Sequence, residues 1–172
     1  MVLEEIKTAN LPGVSPGTAV YLCENAVACL TRRGHASGVN IECQGLSSQP
    51  EKMEWETAFT DQLDRSLYDQ EVATEYGAAC ISILYALEHT DFTVIQRSRK
   101  KTGVDYWLGK KGDILFQSAA RMEVSGIFDG ADKVDARVKR KLKQTNQSDS
   151  SGLPAYISIV EFSRPIINFT KK

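Results

Sequence analysis

A mixed α+β domain is what this sequence predicts: an αβββαβ core around a mixed sheet, with an antiparallel β meander ahead of it. Three observations carry that reading. Before residue 57, short runs alternate apolar with polar residues, the period of a half-buried strand. From about residue 60 to 89 the apolar residues recur at helical spacing. After residue 91 come three strand-like runs, a basic helix and a strongly apolar run, an order that suits helices on the faces of a mixed sheet.

The elements follow in order. After the leader "LPGVSPG", the runs "TAVYLCE", "AVACLTRR" and "GVNIECQG" are short and apolar or β-branched. In the last, Val39, Ile41 and Cys43 alternate with Asn40, Glu42 and Gln44, and "KMEWET" repeats the pattern through Met53 and Trp55. The prediction is a meander over residues 17 to 57. Next, Leu63, Leu67, Val72, Tyr76, Ile83 and Leu87 predict one long helix from Thr60 to the "EHTD" segment. A second stripe on it, Ala78, Ala79, Ser82 and Ala86, is small enough to lie close against a sheet, and Glu71 and Glu75 head that stripe one turn apart. "FTVIQRS", "GVDYWLG" and "AARMEVSGI" are three strands, separated by turns rich in Gly and Lys. "ADKVDARVKRKLKQT" is a one-sided helix through Val134, Val138 and Leu142, and "LPAYISIVEFS" is a closing strand apolar enough to be central. This divides the chain into a β extension, residues 1–60, packed on a core domain, residues 61–172.

Composition narrows the class. A chain of 172 residues, 42% hydrophobic and 25% charged, is an ordinary globular protein with a core of its own. No run reaches the roughly 20 apolar residues of a membrane span, and two early acids argue against a signal peptide, so a cytoplasmic protein with no membrane partner is expected. Cys23, Cys29, Cys43 and Cys80 form no CxxC pair, which disfavours structural zinc and suggests reduced, buried thiols. Charge is asymmetric beneath the net −1. Residues 1–90 hold 5 Lys/Arg against 13 Asp/Glu, and residues 91–144 hold 13 against 7. The second part suits a polyanion, or else a solvated face that pairs with the acidic half.

Two acids stand where a strand pattern would be apolar. Asp105 lies in "GVDYW" and Glu123 in "RMEVSG". A strand aspartate is ordinarily an edge or turn residue, but a carboxylate in mid-run needs a partner, a metal or exposure. The element order with these acids resembles the PD-(D/E)xK nuclease superfamily, the restriction-endonuclease-like and Holliday-junction-resolvase-like folds, over about 100 residues. In that family a helix supplies a Glu, the second strand an Asp and the third (D/E)-x-K. The resemblance implies that Asp105 and Glu123 hold Mg²⁺ or Mn²⁺ and that Glu75, or Glu71, supports them. A hard cation bound through two carboxylates plus phosphate oxygens can activate water for phosphodiester hydrolysis.

Ser125 stands where the motif has lysine, and serine cannot supply the missing positive charge. The candidates to replace it are Arg121, on the Glu123 face of the strand, Lys133 and Lys141 on the following helix, and Lys110 and Lys111 in the hairpin turn. Arg121 is equally suited to be an ion-pair partner that lets Glu123 be buried. Arg137 and Lys141 flank one side of the basic helix and, with Lys110, Lys111 and Lys133, are the candidate nucleic-acid contacts. The expected partner is nucleic acid, DNA ahead of RNA, with a homodimer compatible with cutting both strands. The alternative is a catalytically inactive nuclease-fold subunit that binds proteins in a bacterial nucleic-acid-processing or defence complex. No Gly-rich phosphate loop or GxSxG nucleophile is present.

Overall fold

The computed structural model describes the whole chain, residues 1–172. Its frame is one seven-stranded mixed sheet. The helices are α1 (Glu5–Thr8), α2 (Pro16–Arg32), α3 (Asp61–Ser66), α4 (Gln70–His89) and α5 (Val134–Gln144). The strands are β1 (Val39–Gly45), β2 (Glu51–Met53), β3 (Phe92–Arg97), β4 (Tyr106–Lys110), β5 (Ala120–Ile127), β6 (Ala155–Glu161) and β7 (Ile166–Lys171), in the spatial order β2-β1-β7-β6-β5-β4-β3. β3, β4 and β5 form an antiparallel meander, and β6 then runs parallel to β5 after the α5 crossover. β7 returns antiparallel to β6 and parallel to β1.

Alternation along β5 and β6 assigns the two faces. Met122, Val124, Tyr156 and Val160 belong to the large core with α2 and α4, and Ser82 of α4 is hydrogen-bonded to Ser158 of β6 at 2.7 Å. Ile127, Ile157 and Ile159 belong to the opposite face, where Val134 and Val138 of α5 pack on them. Every residue of β6 is buried, as its apolar sequence predicts for a central strand.

The predicted meander over residues 17–57 is corrected at its first half. Residues 16–32 form a helix, because Ser15 caps it by accepting from Thr18 N and Pro16 is preorganised for its first turn. Asn25, buried within the helix, donates from its amide to Tyr21 O at 2.7 Å. α2 packs against α4 so closely that a Cβ on Gly77 would lie 3.0 Å from Ala26 Cα. Residues 39–53 do form an antiparallel pair, β1 with β2. The first 60 residues thus give the sheet two strands and share the main core through Leu3, Leu22, Ile41 and Met53. The helix expected from Thr60 to His89 is broken in two. Asp69 accepts from Glu71 N and Val72 N and so starts α4 afresh after Leu67. β7, beyond the predicted closing strand, is an element the sequence did not predict, and it fills the gap between β6 and β1.

No helix is long and apolar enough to cross a membrane. The four cysteines are free and buried.

Candidate active site

Asp105 stands one residue before β4, where the ladder already holds its backbone. Its N–H donates to Met122 O at 2.9 Å and its carbonyl accepts from Ser98 N at 2.7 Å. Tyr106 pairs with Met122 and Trp107 with Arg121, so one more step in that antiparallel register sets Asp105 opposite Glu123. Side chains so placed are direct neighbours on one face. The charge of Asp105 acts on the Glu123 carboxyl, and Asp105 Oδ2 accepts from Val124 N at 2.8 Å.

Glu123 is 1% exposed on the α5 face of the sheet. Its Oε1 accepts from Lys141 Nζ at 2.5 Å and from Gln144 Nε2 at 2.8 Å, both from α5. Its Oε2 is buried with no hydrogen-bond partner in the protein. Burial, then the charge of Asp105, push the Glu123 carboxyl up to about 7, against the pull of Lys141. A second carboxylate nearby makes the buried one harder to ionise.

α5 presents its site residues for a simple reason. Val134, Val138 and Leu142 face the sheet at a spacing of four, and the residues just before each, Lys133, Arg137 and Lys141, follow the same stripe beside the seam. Arg137 donates to Ser125 Oγ at 2.8 Å, so Ser125 anchors an arginine. Burial and the nearby Arg140 push the Arg137 guanidinium down from its ordinary value.

α4 closes the other side. Its first turns come so near β5 that a Cβ on Gly126 would lie 2.3 Å from Thr74 O, and glycine is what allows that approach. Gln70, Glu71, Thr74 and Glu75 thereby join Asp105, Glu123, Lys133, Arg137, Lys141 and Gln144 around a cavity of about 620 Å³. Glu75 reaches only its rim, largely exposed and 3.5 Å from Arg97.

Three expected cations are elsewhere. Arg121 does lie on the Glu123 face, but its guanidinium is spent on Leu153 O, Thr145 O, Ser148 Oγ and Asp149, at 2.7–3.1 Å. It is the peg that fastens the 145–151 turns to β5 and cannot stand in for the motif lysine. Lys111 donates to Leu87 O and Thr90 O at the far end of α4, and with Lys110 it lines a different hollow. Gln144 was not singled out by sequence, although it follows Lys141 by one helical turn.

The residues fit a hard divalent ion in one specific respect: the two facing carboxyl groups leave Glu123 Oε2 buried and unpartnered, an oxygen that a cation would satisfy. No known family, curated protein or solved structure matches this chain.

Proposed function

We propose that this protein is a metal-dependent nuclease of the PD-(D/E)xK type acting on DNA in the cytoplasm, with Asp105 and Glu123 as metal ligands and Lys141 in the role of the motif lysine. The observation that carries this reading is the 2.5 Å contact of Lys141 Nζ with Glu123 Oε1, made from α5 across the position where Ser125 is too short to act. The sheet is in keeping with it, since an antiparallel β3-β4-β5 meander followed by α5 and a parallel β6 is the order the resemblance implies.

Mg²⁺ or Mn²⁺ held by Asp105 and Glu123 would supply Lewis-acid stabilisation and an activated water. The rest is the work of the chain. Gln144 fixes Glu123 Oε1 so that Oε2 points where it has no protein partner. Lys141 keeps a positive charge at the carboxylate pair, where it can orient water and offset charge on a phosphate. Arg137, held by Ser125, and Lys133 line the same cavity and suit the backbone phosphates on either side.

Cleavage of plasmid and short duplex DNA with Mg²⁺ or Mn²⁺ tests the reading. Hydrolysis that stops with chelator and in Glu123→Ala is expected. No cleavage with either metal, together with no salt-sensitive DNA binding, would overturn it.

A second reading has one observation in its favour. Ile114, Leu115 and Phe116 are 85%, 70% and 54% exposed on the β4–β5 loop, and none of them lines the cavity. Such a tip suits a protein partner, as in an inactive nuclease-fold subunit of a larger complex. The cleavage assay separates the two readings.

A further inference from the structure

At the opposite end of α4 from the cavity, three ligand-type side chains converge. Glu51 of β2, Glu88 and His89 bring a carboxylate oxygen each and an imidazole nitrogen to within 4.8 Å of one another. Acids gathered at a surface need no ion, but this corner has a second and independent feature. Of the eight buried side-chain polar atoms in the protein that lack a hydrogen-bond partner, three are here: Glu51 Oε2, His89 Nε2 and the hydroxyl of Tyr85. Tyr85 is fully buried, its ring lies 4.1 Å from the His89 ring, and its hydroxyl sits beside Cys43 and Ser47 within the field of Glu51. Buried polar atoms of this kind are otherwise satisfied, so the two that belong to the ligand group, Glu51 Oε2 and His89 Nε2, point to a missing common partner.

The approach of His89 to Glu51 says what kind of partner. Nε2 and Oε1 are 2.6 Å apart, an ion-pair distance for a protonated imidazole and a ligand pair for a neutral one. In its neutral form the imidazole nitrogen offers a lone pair, and with the neighbouring carboxylate oxygens it makes the donor set of a cation. For tetrahedral bonds of about 2.1 Å, ligand atoms stand about 3.4 Å apart, within the 4.8 Å that encloses this group. The end of α4 adds its own negative pole to the two carboxylates, which favours a cation.

We infer that Glu51, Glu88 and His89 form a binding site for a divalent transition-metal ion of the Zn²⁺ class, which ties edge strand β2 to the end of α4. One imidazole with two carboxylates selects Zn²⁺ over Mg²⁺, which prefers an all-oxygen shell and keeps its waters. Three protein ligands leave a fourth position for water. The site is separate from the Asp105–Glu123 pair and stands whether or not that pair is catalytic.

Zn²⁺ titration of the chelator-treated full chain, by calorimetry and by thermal unfolding, tests the inference in an Asp105→Asn background that weakens the other carboxylate pair. One equivalent of Zn²⁺ is expected to bind and raise Tm, whereas Mg²⁺ does not. Glu88→Gln, an exposed change that leaves the fold intact, should weaken Zn²⁺ binding more than about 10-fold, the loss seen when even outer-shell partners are removed. His89→Ala should abolish the Tm rise. Absence of Zn²⁺ binding, binding unchanged in Glu88→Gln and His89→Ala, or an equal response to Mg²⁺ would overturn it.

Discussion

Glu123→Gln should make the metal-free protein more stable at pH 8 and remove any metal-dependent activity. A free carboxyl of this type titrates near 4.5, but in the folded chain burial and Asp105 push Glu123 up to about 7. The folded state therefore holds a proton that the unfolded state releases. Below about pH 4.5 the acid is protonated in both states and its contribution to stability is complete. As pH rises towards 7 that contribution is lost, and above 7 the fold carries an ionised, buried carboxylate. At about 1.36 kcal/mol per pH unit, the interval from 4.5 to about 7 corresponds to roughly 3 kcal/mol. Glutamine keeps the acceptor oxygen for Lys141 and Gln144 and has no charge to desolvate. Urea unfolding in EDTA, followed by circular dichroism at pH 5, 6, 7 and 8, should show the two proteins nearly equal at pH 5. The variant should lead by up to about 3 kcal/mol at pH 8, a rise in Tm of several degrees for a chain of this size. A variant less stable than wild type at pH 8, or a difference that does not change with pH, would refute the reasoning.

Gly126→Ala should push α4 off β5, because the new Cβ meets Thr74 O at 2.3 Å, and chemical denaturation should report a loss of about 1–3 kcal/mol. Arg121→Ala should cost about 1–3 kcal/mol by the same measurement, since it strips partners from the Leu153 and Thr145 carbonyls and Ser148, while leaving Asp105 and Glu123 in place. Arg137→Ala should weaken DNA binding and lower the salt dependence, the slope of log K against log salt, by about 1, as read by fluorescence anisotropy over a salt series.

Legibility from sequence followed the strength of the periodic signal. "GVNIECQG" and the α5 stripe each bury one face and expose the other, so their periods are clean, whereas β5 is buried on both faces and is marked only by its apolar run. α2 was misread because Leu22, Cys23, Ala26, Val27, Ala28, Cys29 and Leu30 are all buried, and a helix covered on nearly every side has no polar face to mark its period. β7 is six residues directly after a tight turn, too short to announce itself beside the stronger β6. At the site, the acids stood out because each interrupts an apolar run. Which cation meets Glu123 was not readable from β5 alone: Arg121 has the right alternation, but the strand position decides that it faces the 145–151 turns. Lys141 is 18 residues away and arrives only because the α5 crossover returns the chain over β5.

In the proposed function, Lys141 does at Glu123 what the motif lysine does in the nuclease superfamily. The most direct test is single-turnover cleavage of pre-bound duplex DNA in Mn²⁺ by wild type, Asp105→Asn and Lys141→Met. Wild type should cleave and Asp105→Asn should not, while Lys141→Met should bind metal and DNA nearly as well as wild type yet cleave at least about 100-fold more slowly, the scale of removing one charge-stabilising donor. Cleavage by Lys141→Met at the wild-type rate, or no metal-dependent cleavage by any of the three, would contradict the account.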